Sequence, residues 1–219
     1  MFQREFGDTG QSSVMLDIQA LRRTPLAQDP FDHCIVPGFL SAAALPTVHS
    51  DFPDMSRPGS FPAETLAFGA AFASLLKQIQ GPEMTAAIAE KFSIDLAGRP
   101  TMVTVRGQCR ARDGQIHTDS GGKLITALLY MNPEWEQDGG RLRLLRSADN
   151  IEDYVVEVPP AAGTLLVFRC SENAWHGHKS VEGERRMIQL NWVRDRSYLE
   201  RERRRHKVSA FFKRFALAS

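Results

Sequence analysis

The amino-acid sequence predicts a mainly β protein, an antiparallel sandwich or jelly roll, with helices in its N-terminal part. Apolar or alternating runs of strand length follow one another through the second half of the chain, and Gly and Pro turns separate them. Closely spaced strands without intervening helices are typical of antiparallel sheets packed face to face. A metal ion can lie between two such sheets, held from several strands.

The turns delimit the predicted strands. Ser120-Gly121-Gly122 form a turn, and the apolar run from Leu124 to Met131 suits a buried strand. Asn132-Pro133 and Gly139-Gly140 are the next turns. Further strands are predicted over Arg141 to Arg146, Tyr154 to Val158 and Thr164 to Arg169, with Pro159-Pro160 and Gly163 as breakers.

The N-terminal part shows helical periodicity instead. Ser41 can cap a short helix through about Ser50. One apolar stripe predicts a helix and consists of Phe68, Phe72, Leu75, Leu76 and Ile79. Gly81-Pro82-Glu83 restarts a second helix, whose apolar face carries Met84, Ile88 and Phe92. We expect these helices to pack on the outside of the sheet. The segment from Pro53 to Pro62 is predicted to form a loop that could approach the opening of a functional site.

Length and composition predict one globular domain over residues 1–219. The chain has 219 residues, 42% of them hydrophobic, which suits a sizeable core. We expect helical support over about residues 1–98, a β core over about 99–193 and a helical tail over about 194–219. Cys34, Cys109 and Cys170 give no disulfide framework, and the first residues lack a secretory apolar core. These features predict a soluble protein of the reducing cytoplasm.

Three side chains of metal-ligand type lie near the ends of predicted strands. His117 and Asp119 are separated by one residue, so that both point to the same face of an extended strand. A distant histidine, His176 or His178, can complete the set, since these two also share one strand face. Two imidazoles and one carboxylate on one side of an iron leave its other positions open. The pattern therefore indicates redox chemistry at a non-haem iron.

Several further motifs follow in a fixed order, and together they resemble one family. They are Tyr130-Met131-Asn132, Gly139-Gly140, the run from Pro160 to Phe168, Trp175-His176-Gly177 and Gly183-Glu184-Arg185-Arg186. With His117-x-Asp119 they resemble the iron- and 2-oxoglutarate-dependent oxygenases of the prolyl 4-hydroxylase-like branch. The resemblance extends over about residues 100–193, and residues 30–40 resemble the start of that branch more weakly.

This resemblance implies a double-stranded β-helix core and a hydroxylase activity. Iron(II) would be bound by His117, Asp119 and His176, because the family's second histidine follows an aromatic residue, here Trp175. His178 would then line the pocket. The co-substrates would be 2-oxoglutarate and dioxygen, with succinate and carbon dioxide released, and ascorbate is left open as an additional cofactor.

The far carboxylate of 2-oxoglutarate, C5, needs a fixed cation, for which arginine offers planar bidentate pairing. In the strand after the second histidine, one face carries Arg186, Ile188, Leu190 and Trp192, and the other carries Arg185, Met187, Gln189 and Asn191. We expect the first face to point to the core, where an unpaired arginine would be costly. Arg186 is therefore predicted to bind the carboxylate beside the hydroxyl of Tyr130, Trp192 to lie near the pocket and Arg185 to face solvent.

One departure from the family concerns the inner co-substrate pocket. Many members carry a tyrosine in the strand before His-x-Asp, whereas residues 101–112 contain none. Either Gln108 or Arg110 substitutes for it in this pocket, or this strand is simply spaced differently from that of the family.

The C-terminal segment is the charge-biased part of a chain whose net charge is only +1. From Arg194 onward there are nine Arg or Lys and three Asp or Glu, followed by an apolar stripe of Val208, Phe211, Phe212 and Phe215. We expect this helix to pack on its own domain or to form a homodimer. Nucleic acid or an anionic membrane surface is the alternative partner.

The substrate and two competing functions stay open at this point. The sequence does not separate a prolyl residue of a protein or peptide from a small-molecule substrate. A non-catalytic jelly-roll metal-binding or sensor protein is one alternative to the oxygenase. A cupin-type dioxygenase that needs no keto acid is the other, and it would leave the arginine without its carboxylate partner.

Overall fold

Two antiparallel sheets form the centre of the computed structural model, which describes the backbone of residues 14–215 and the side chains of residues 14–205. The main sheet has the strand order β1-β7-β4-β9-β3-β2. Its strands are β1 (His33–Val36), β2 (Ser60–Pro62), β3 (Thr101–Cys109), β4 (Lys123–Tyr130), β7 (Leu165–Arg169) and β9 (Gly183–Val193). The small sheet has the order β6-β5-β8, with β5 (Leu142–Leu145), β6 (Tyr154–Val158) and β8 (His176–Gly177).

The strands predicted from turn spacing are confirmed, with ends that differ by no more than one residue. β6 has the predicted bounds, and β4, β5 and β7 begin or end one residue from them. This agreement follows from the chemistry of the turns, because Gly and Pro interrupt the chain where the strands end.

Helices support the main sheet from one side, as predicted. They are α1 (Ile18–Arg23), α2 (Leu45–Ser50), α3 (Ala70–Ile79) and α4 (Pro82–Phe92), with a short 3-10 turn at Ala63–Thr65. The prediction that Ser41 caps α2 is wrong. The helix begins four residues later, with Pro46 in its first turn, and the backbone carbonyl of Ser41 accepts hydrogen bonds from the Ala44 and Leu45 N–H groups.

Both faces of the main sheet are buried. One face packs on α3 and α4 in a large core that includes Leu75, Ile88, Val105 and Ile188. The other face packs on the small sheet in a second core that includes Leu128, Leu142, Phe168 and Met187. Each fully buried side chain of this size stabilises the fold by about 1.5–3 kcal/mol. The main sheet therefore has no solvent-facing side at its centre, and this decides the position of the candidate site.

Helix α5 (Arg196–Phe215) follows β9 directly. Its first turns pack Tyr198 and Leu199 on Met102 and Val193 at one end of the main sheet. The apolar stripe predicted at Val208, Phe211, Phe212 and Phe215 lies outside the residues whose side chains are described. Among the helices over residues 14–215, none has the length and apolar character needed to cross a bilayer.

Candidate active site

His117, Asp119 and His176 lie together between the two sheets. One ligand atom from each of the three side chains is within 4.8 Å of the other two, close enough to share one ion. His117 and His176 form an isolated antiparallel bridge, and each backbone N–H donates to the carbonyl of the other at 3.0 Å. The backbone thus brings together two histidines that are 59 positions apart in the sequence.

The two histidines present the same ring nitrogen to this centre. The Nδ1 atom of His117 lies 2.8 Å from the carbonyl oxygen of Gln115, and Nδ1 of His176 lies 2.8 Å from that of Ala174. A carbonyl only accepts, so each Nδ1 carries the proton and each Nε2 is left with a free lone pair. This tautomer is the one in which Nε2 can bind a metal.

Asp119 is held by a chain of polar side chains. Lys123 lies 2.6 Å from its Oδ1, and the Thr126 hydroxyl donates to its Oδ2 at 2.5 Å. The amide of Asn191 in turn donates to the Thr126 hydroxyl at 2.6 Å. Burial alone would raise the pKa of Asp119, but Lys123, His176 and Thr126 hold it below its ordinary value. The carboxylate is therefore ionised at neutral pH, the form that a metal ion requires.

A cavity of about 120 Å³ adjoins the three side chains. Its apolar wall consists of Leu128, Leu142, Phe168 and Met187, and its polar lining includes Ser60, Arg106, His178, Arg185 and Gln189. Ser60 shows that the segment from Pro53 to Pro62 approaches the site, as predicted, but Ser60–Pro62 form strand β2 and not a loop. Apolar walls with a few placed polar groups are typical of small-ligand sites.

The prediction for the two adjacent arginines of β9 is wrong. Arg185 is 2% exposed and lines the cavity, whereas the side chain of Arg186 is 30% exposed, pairs with Glu184 and lies over the Phe52 ring. Sequence alternation separated the two faces correctly, but the apolar face packs on the helices. The small sheet covers the opposite face of the main sheet, so Arg185 points into the space between the two sheets.

Arg185 is buried with one part of its hydrogen-bonding capacity unused. Its Nε donates to the carbonyl of Gly140 at 2.8 Å, and its Nη1 lies 3.2 Å from the sulfur of Met187. Its Nη2 is buried, and no described residue accepts a hydrogen bond from it. Since a buried guanidinium without an anion is costly, this side chain favours a bound carboxylate in the cavity.

Tyr130 lies beside Arg185, not beside Arg186. The Arg185 guanidinium carbon is 5.5 Å from the centre of the Tyr130 ring. Burial raises the pKa of Tyr130, and the nearby arginine opposes that rise only in part, so the phenol is protonated at neutral pH. Its hydroxyl is also buried and makes no hydrogen bond to any residue in the described part of the chain. Two unpaired donors therefore lie in the same buried region.

His178 lines the cavity, as the resemblance implied, and does not join the group of three ligand-type side chains. Its Nδ1 lies 2.8 Å from the carbonyl of Lys179, and its ring lies against Gly114. A Cβ at Gly114 would come within 2.4 Å of the ring, and the backbone there has φ +90°, so glycine is required at this position. Burial, with Arg185 nearby, lowers the pKa of His178 to about 4.

Other pocket predictions do not match the cavity lining. Trp192 is fully buried in the core on the helix side of β9, and neither Gln108 nor Arg110 lines the cavity. Arg106 occupies the inner face of β3 instead and pairs with Asp113 at 2.7 Å. The pairing of β3 with β9 shifts register between Arg106 and Gln108, where two steps along β3 match three along β9, and Arg110 lies beyond the end of β3.

Comparison with protein families supports the resemblance predicted from the motifs. Residues 107–194 match the model of the 2OG-Fe(II) oxygenase superfamily. This segment contains the three ligand-type side chains together with Tyr130 and Arg185, so the predicted resemblance is confirmed there. A comparison with curated protein sequences gives no match.

Solved structures with the same fold include two prolyl hydroxylases. A prolyl-4-hydroxylase from Pseudomonas putida is 18% identical with a TM-score of 0.53, and the match covers 81% of this chain and 93% of that one. The viral collagen prolyl hydroxylase of Paramecium Bursaria Chlorella virus-1, as a 2OG complex, is 15% identical with a TM-score of 0.51, over 77% and 99% of the two chains.

A third similar structure is HygX from Streptomyces hygroscopicus with nickel and 2-oxoglutarate bound. It is 13% identical with a TM-score of 0.51, and the match covers 74% of this chain and 81% of that one. At these identities the likeness concerns the fold, and the predicted double-stranded β-helix is confirmed.

Proposed function

We propose that this protein is an Fe(II)- and 2-oxoglutarate-dependent dioxygenase that hydroxylates a C–H bond of a prolyl residue or another substrate. The family match and the three grouped ligand-type side chains support the iron-dependent oxygenase class. When bound, iron(II), 2-oxoglutarate and dioxygen supply an oxidising centre, and the products are the hydroxylated substrate, succinate and carbon dioxide.

The observation that carries the proposal is the buried Arg185 with its unpaired Nη2, in the same cavity as the three ligand-type side chains. A dicarboxylate with one end at the metal can extend its other carboxylate to this guanidinium. Hydrogen bonds to charged groups contribute about 1.5–3 kcal/mol, and the pairing would also remove the cost of an uncompensated buried charge.

In this proposal each side chain has a separate task. His117, Asp119 and His176 hold the iron, with Lys123, Thr126 and Asn191 orienting the carboxylate of Asp119. Arg185 binds the C5 carboxylate of 2-oxoglutarate, and the Tyr130 hydroxyl donates beside it. His178 and Arg106 line the cavity, and the apolar wall of Leu128, Phe168 and Met187 excludes water from the reacting centre.

The same observation separates this proposal from its two alternatives. A keto-acid-independent dioxygenase or a non-catalytic metal-binding protein has no need of a buried arginine aimed at a carboxylate. The deciding experiment is calorimetric titration of 2-oxoglutarate into manganese-loaded protein without oxygen. Binding that depends on Arg185, followed by succinate formation with iron(II) and oxygen, is the expected result. Metal binding without any 2-oxoglutarate binding would favour the alternatives.

The compartment and the auxiliary cofactor belong to the same proposal. The cysteines Cys34, Cys109 and Cys170 are free thiols, and burial raises the pKa of Cys34 to about 11 and that of Cys170 to about 12. Such thiols are unreactive and suit the reducing cytoplasm, where iron(II) persists. Ascorbate would act as an added reductant, which succinate assays with and without it would test.

A further inference from the structure

A second cavity, of about 300 Å³, lies on the outer side of the candidate metal centre. It shares Ser60, His117, Asp119 and Gln189 with the inner cavity, so the two spaces meet at the candidate metal centre. The rest of its lining comes from strands and loops, Met102, Thr104, Thr118, Ser120 and Lys123, and from helix α5, Glu202 and Arg205. The inner cavity accounts for the co-substrate, and this outer cavity is left for the substrate.

The outer cavity is polar and carries one buried carboxylate besides that of Asp119. Glu202 is 5% exposed, and its only ion-pair partner among the described residues is Arg205, at 2.9 Å, whose side chain is 69% exposed. Ion pairs with an exposed partner contribute little, at most about 1 kcal/mol. The other lysine or arginine in the lining, Lys123, is engaged by Asp119 at 2.6 Å. Within residues 14–205, the carboxylate of Glu202 therefore has no buried cation beside it.

Helix α5 is anchored where it covers this cavity. The ring of Tyr198 lies against Gly122, where a Cβ would come within 2.1 Å, and its hydroxyl hydrogen-bonds to that of Ser120. Leu199 packs with Met102, and Arg203 lies 3.4 Å from Glu64. The helix is thus fixed to β3, to the turn after Asp119 and to the 3-10 turn, and Glu202 is held in position at the cavity.

We propose that Glu202 is a specificity-determining residue that binds a protonated amine of a small, polar substrate in the outer cavity. This inference rests on the proposed function, since it assigns the substrate class of the same site. A substrate ammonium would supply the buried cation that Glu202 lacks, and Ser60, Thr104 and Gln189 would satisfy further polar groups. A prolyl residue inside a polypeptide carries no such cation.

The test uses full-length protein loaded with zinc(II), so that binding is measured without turnover. The probes are the free L-amino acids and primary alkylamines, each paired with its N-acetyl form, and binding is detected by saturation-transfer NMR. Glu202→Gln preserves the shape of the side chain and removes its charge. Glu200→Gln is the matched control, because Glu200 lies on the same helix and is exposed.

We expect at least one free amine to bind the wild-type protein and its N-acetyl form not to bind. Glu202→Gln should weaken that binding at least about tenfold, as expected for loss of a charged hydrogen-bond partner, and Glu200→Gln should leave it unchanged. The same amine should increase succinate formation by the iron-loaded wild type.

Three results would overturn this inference. They are equal binding of free and N-acetylated probes, unchanged binding by Glu202→Gln, and failure of every amine to bind a protein that does bind 2-oxoglutarate. The comparison of free with acetylated probes uses wild-type protein, so equal binding of the two forms overturns the inference even if Glu202→Gln folds poorly. Loss of the proposed function is seen separately, as failure of wild type to bind 2-oxoglutarate, because amine binding to zinc-loaded protein can be measured without it.

Discussion

His117 and His176 lie directly opposite each other across an antiparallel bridge and exchange both backbone hydrogen bonds at 3.0 Å. The centroids of their rings are 4.3 Å apart, and each Nδ1–H donates a hydrogen bond to the backbone carbonyl two residues earlier in the chain. The positions of these imidazoles are therefore set by the backbone. Removal of one side chain should leave the other in place.

The grouping of His117, Asp119 and His176 predicts the effect of replacing each metal-binding side chain. His117→Ala, Asp119→Ala and His176→Ala should each lose iron binding, because each removes one of three protein ligands. His178→Ala should keep the metal and reduce turnover, since His178 lines the cavity outside the ligand group. Metal titration of the four variants is the measurement. Loss of iron in His178→Ala with retention in His176→Ala would reverse the assignment.

The two adjacent arginines provide a matched pair. Arg185→Met should weaken 2-oxoglutarate binding by about 10- to 150-fold, the equivalent of about 1.5–3 kcal/mol for hydrogen bonds to a charged group. Arg186→Met should have little effect, since Arg186 lies on the opposite face of β9 and pairs with Glu184. Calorimetry on manganese-loaded protein without oxygen measures both, with metal content as the control. Equal losses would show that the arginines act through bulk charge.

Thr126 offers a test of the groups that orient Asp119. Thr126→Val removes the hydroxyl that donates to Asp119 and accepts from Asn191, and it should reduce metal affinity about 10- to 100-fold. Thr126→Ser keeps the hydroxyl and should stay close to wild type. Competition with a metal-binding dye measures the affinities. If both variants bind metal like wild type, this hydrogen-bond chain has no part in metal affinity.

The cavity histidine predicts how metal-free protein responds to acid. Burial lowers the pKa of His178 to about 4 in the folded protein, against 6.5 ordinarily. Between these values the unfolded chain binds more protons than the folded protein. The free energy of unfolding therefore decreases as the pH falls from 6.5 to 4. Each unit of difference between the folded and unfolded pKa corresponds to about 1.4 kcal/mol, so His178 can lower the free energy of unfolding by at most about 3 kcal/mol over this range.

Urea unfolding of metal-free wild type and His178→Gln over this pH range measures the effect. The stability of wild type relative to the variant should decrease on acidification. A constant difference between the two proteins across the range would mean that His178 titrates alike in the folded and unfolded states.

The C-terminal helix can be divided by truncation. A chain ending at Arg205 keeps Glu202, whereas one ending at Tyr198 loses it, and all proposed metal and 2-oxoglutarate ligands lie upstream of both ends. Both should bind metal and 2-oxoglutarate like the full chain, and only the shorter should lose amine binding. Light scattering should show a change in mass or solubility once the apolar stripe from Val208 to Phe215 is gone. Unchanged mass with loss of RNA or vesicle binding would favour the alternative partners.

Local features of the chain were sufficient to predict much of the fold and site. The bounds of β4 to β7 follow from turn residues to within one residue. Apolar periodicity predicted the existence of α3 and α4, and Gly81-Pro82 predicted the start of α4, whereas Phe68 of the first stripe lies before α3. The pairing of His117 with Asp119 follows from alternation within one short segment. The order of motifs indicated the resemblance to the family, and this resemblance predicted His176 as the distant partner. These inferences depend only on the spacing of residues along the chain, which the sequence gives without a structure.

The tertiary structure alone decided which groups lie at the cavities. Alternation along β9 separates Arg185 from Arg186, but it does not say what covers either face, and here the small sheet covers the face of Arg185 while helices cover the other. Arg106 lines the cavity and Gln108 does not, although both belong to β3, and the pairing of β3 with β9 shifts register between them. Glu202 is adjacent to the candidate metal centre because α5 folds back along the sheet end. Such long-range packing depends on contacts between distant segments, for which no local pattern in the sequence exists.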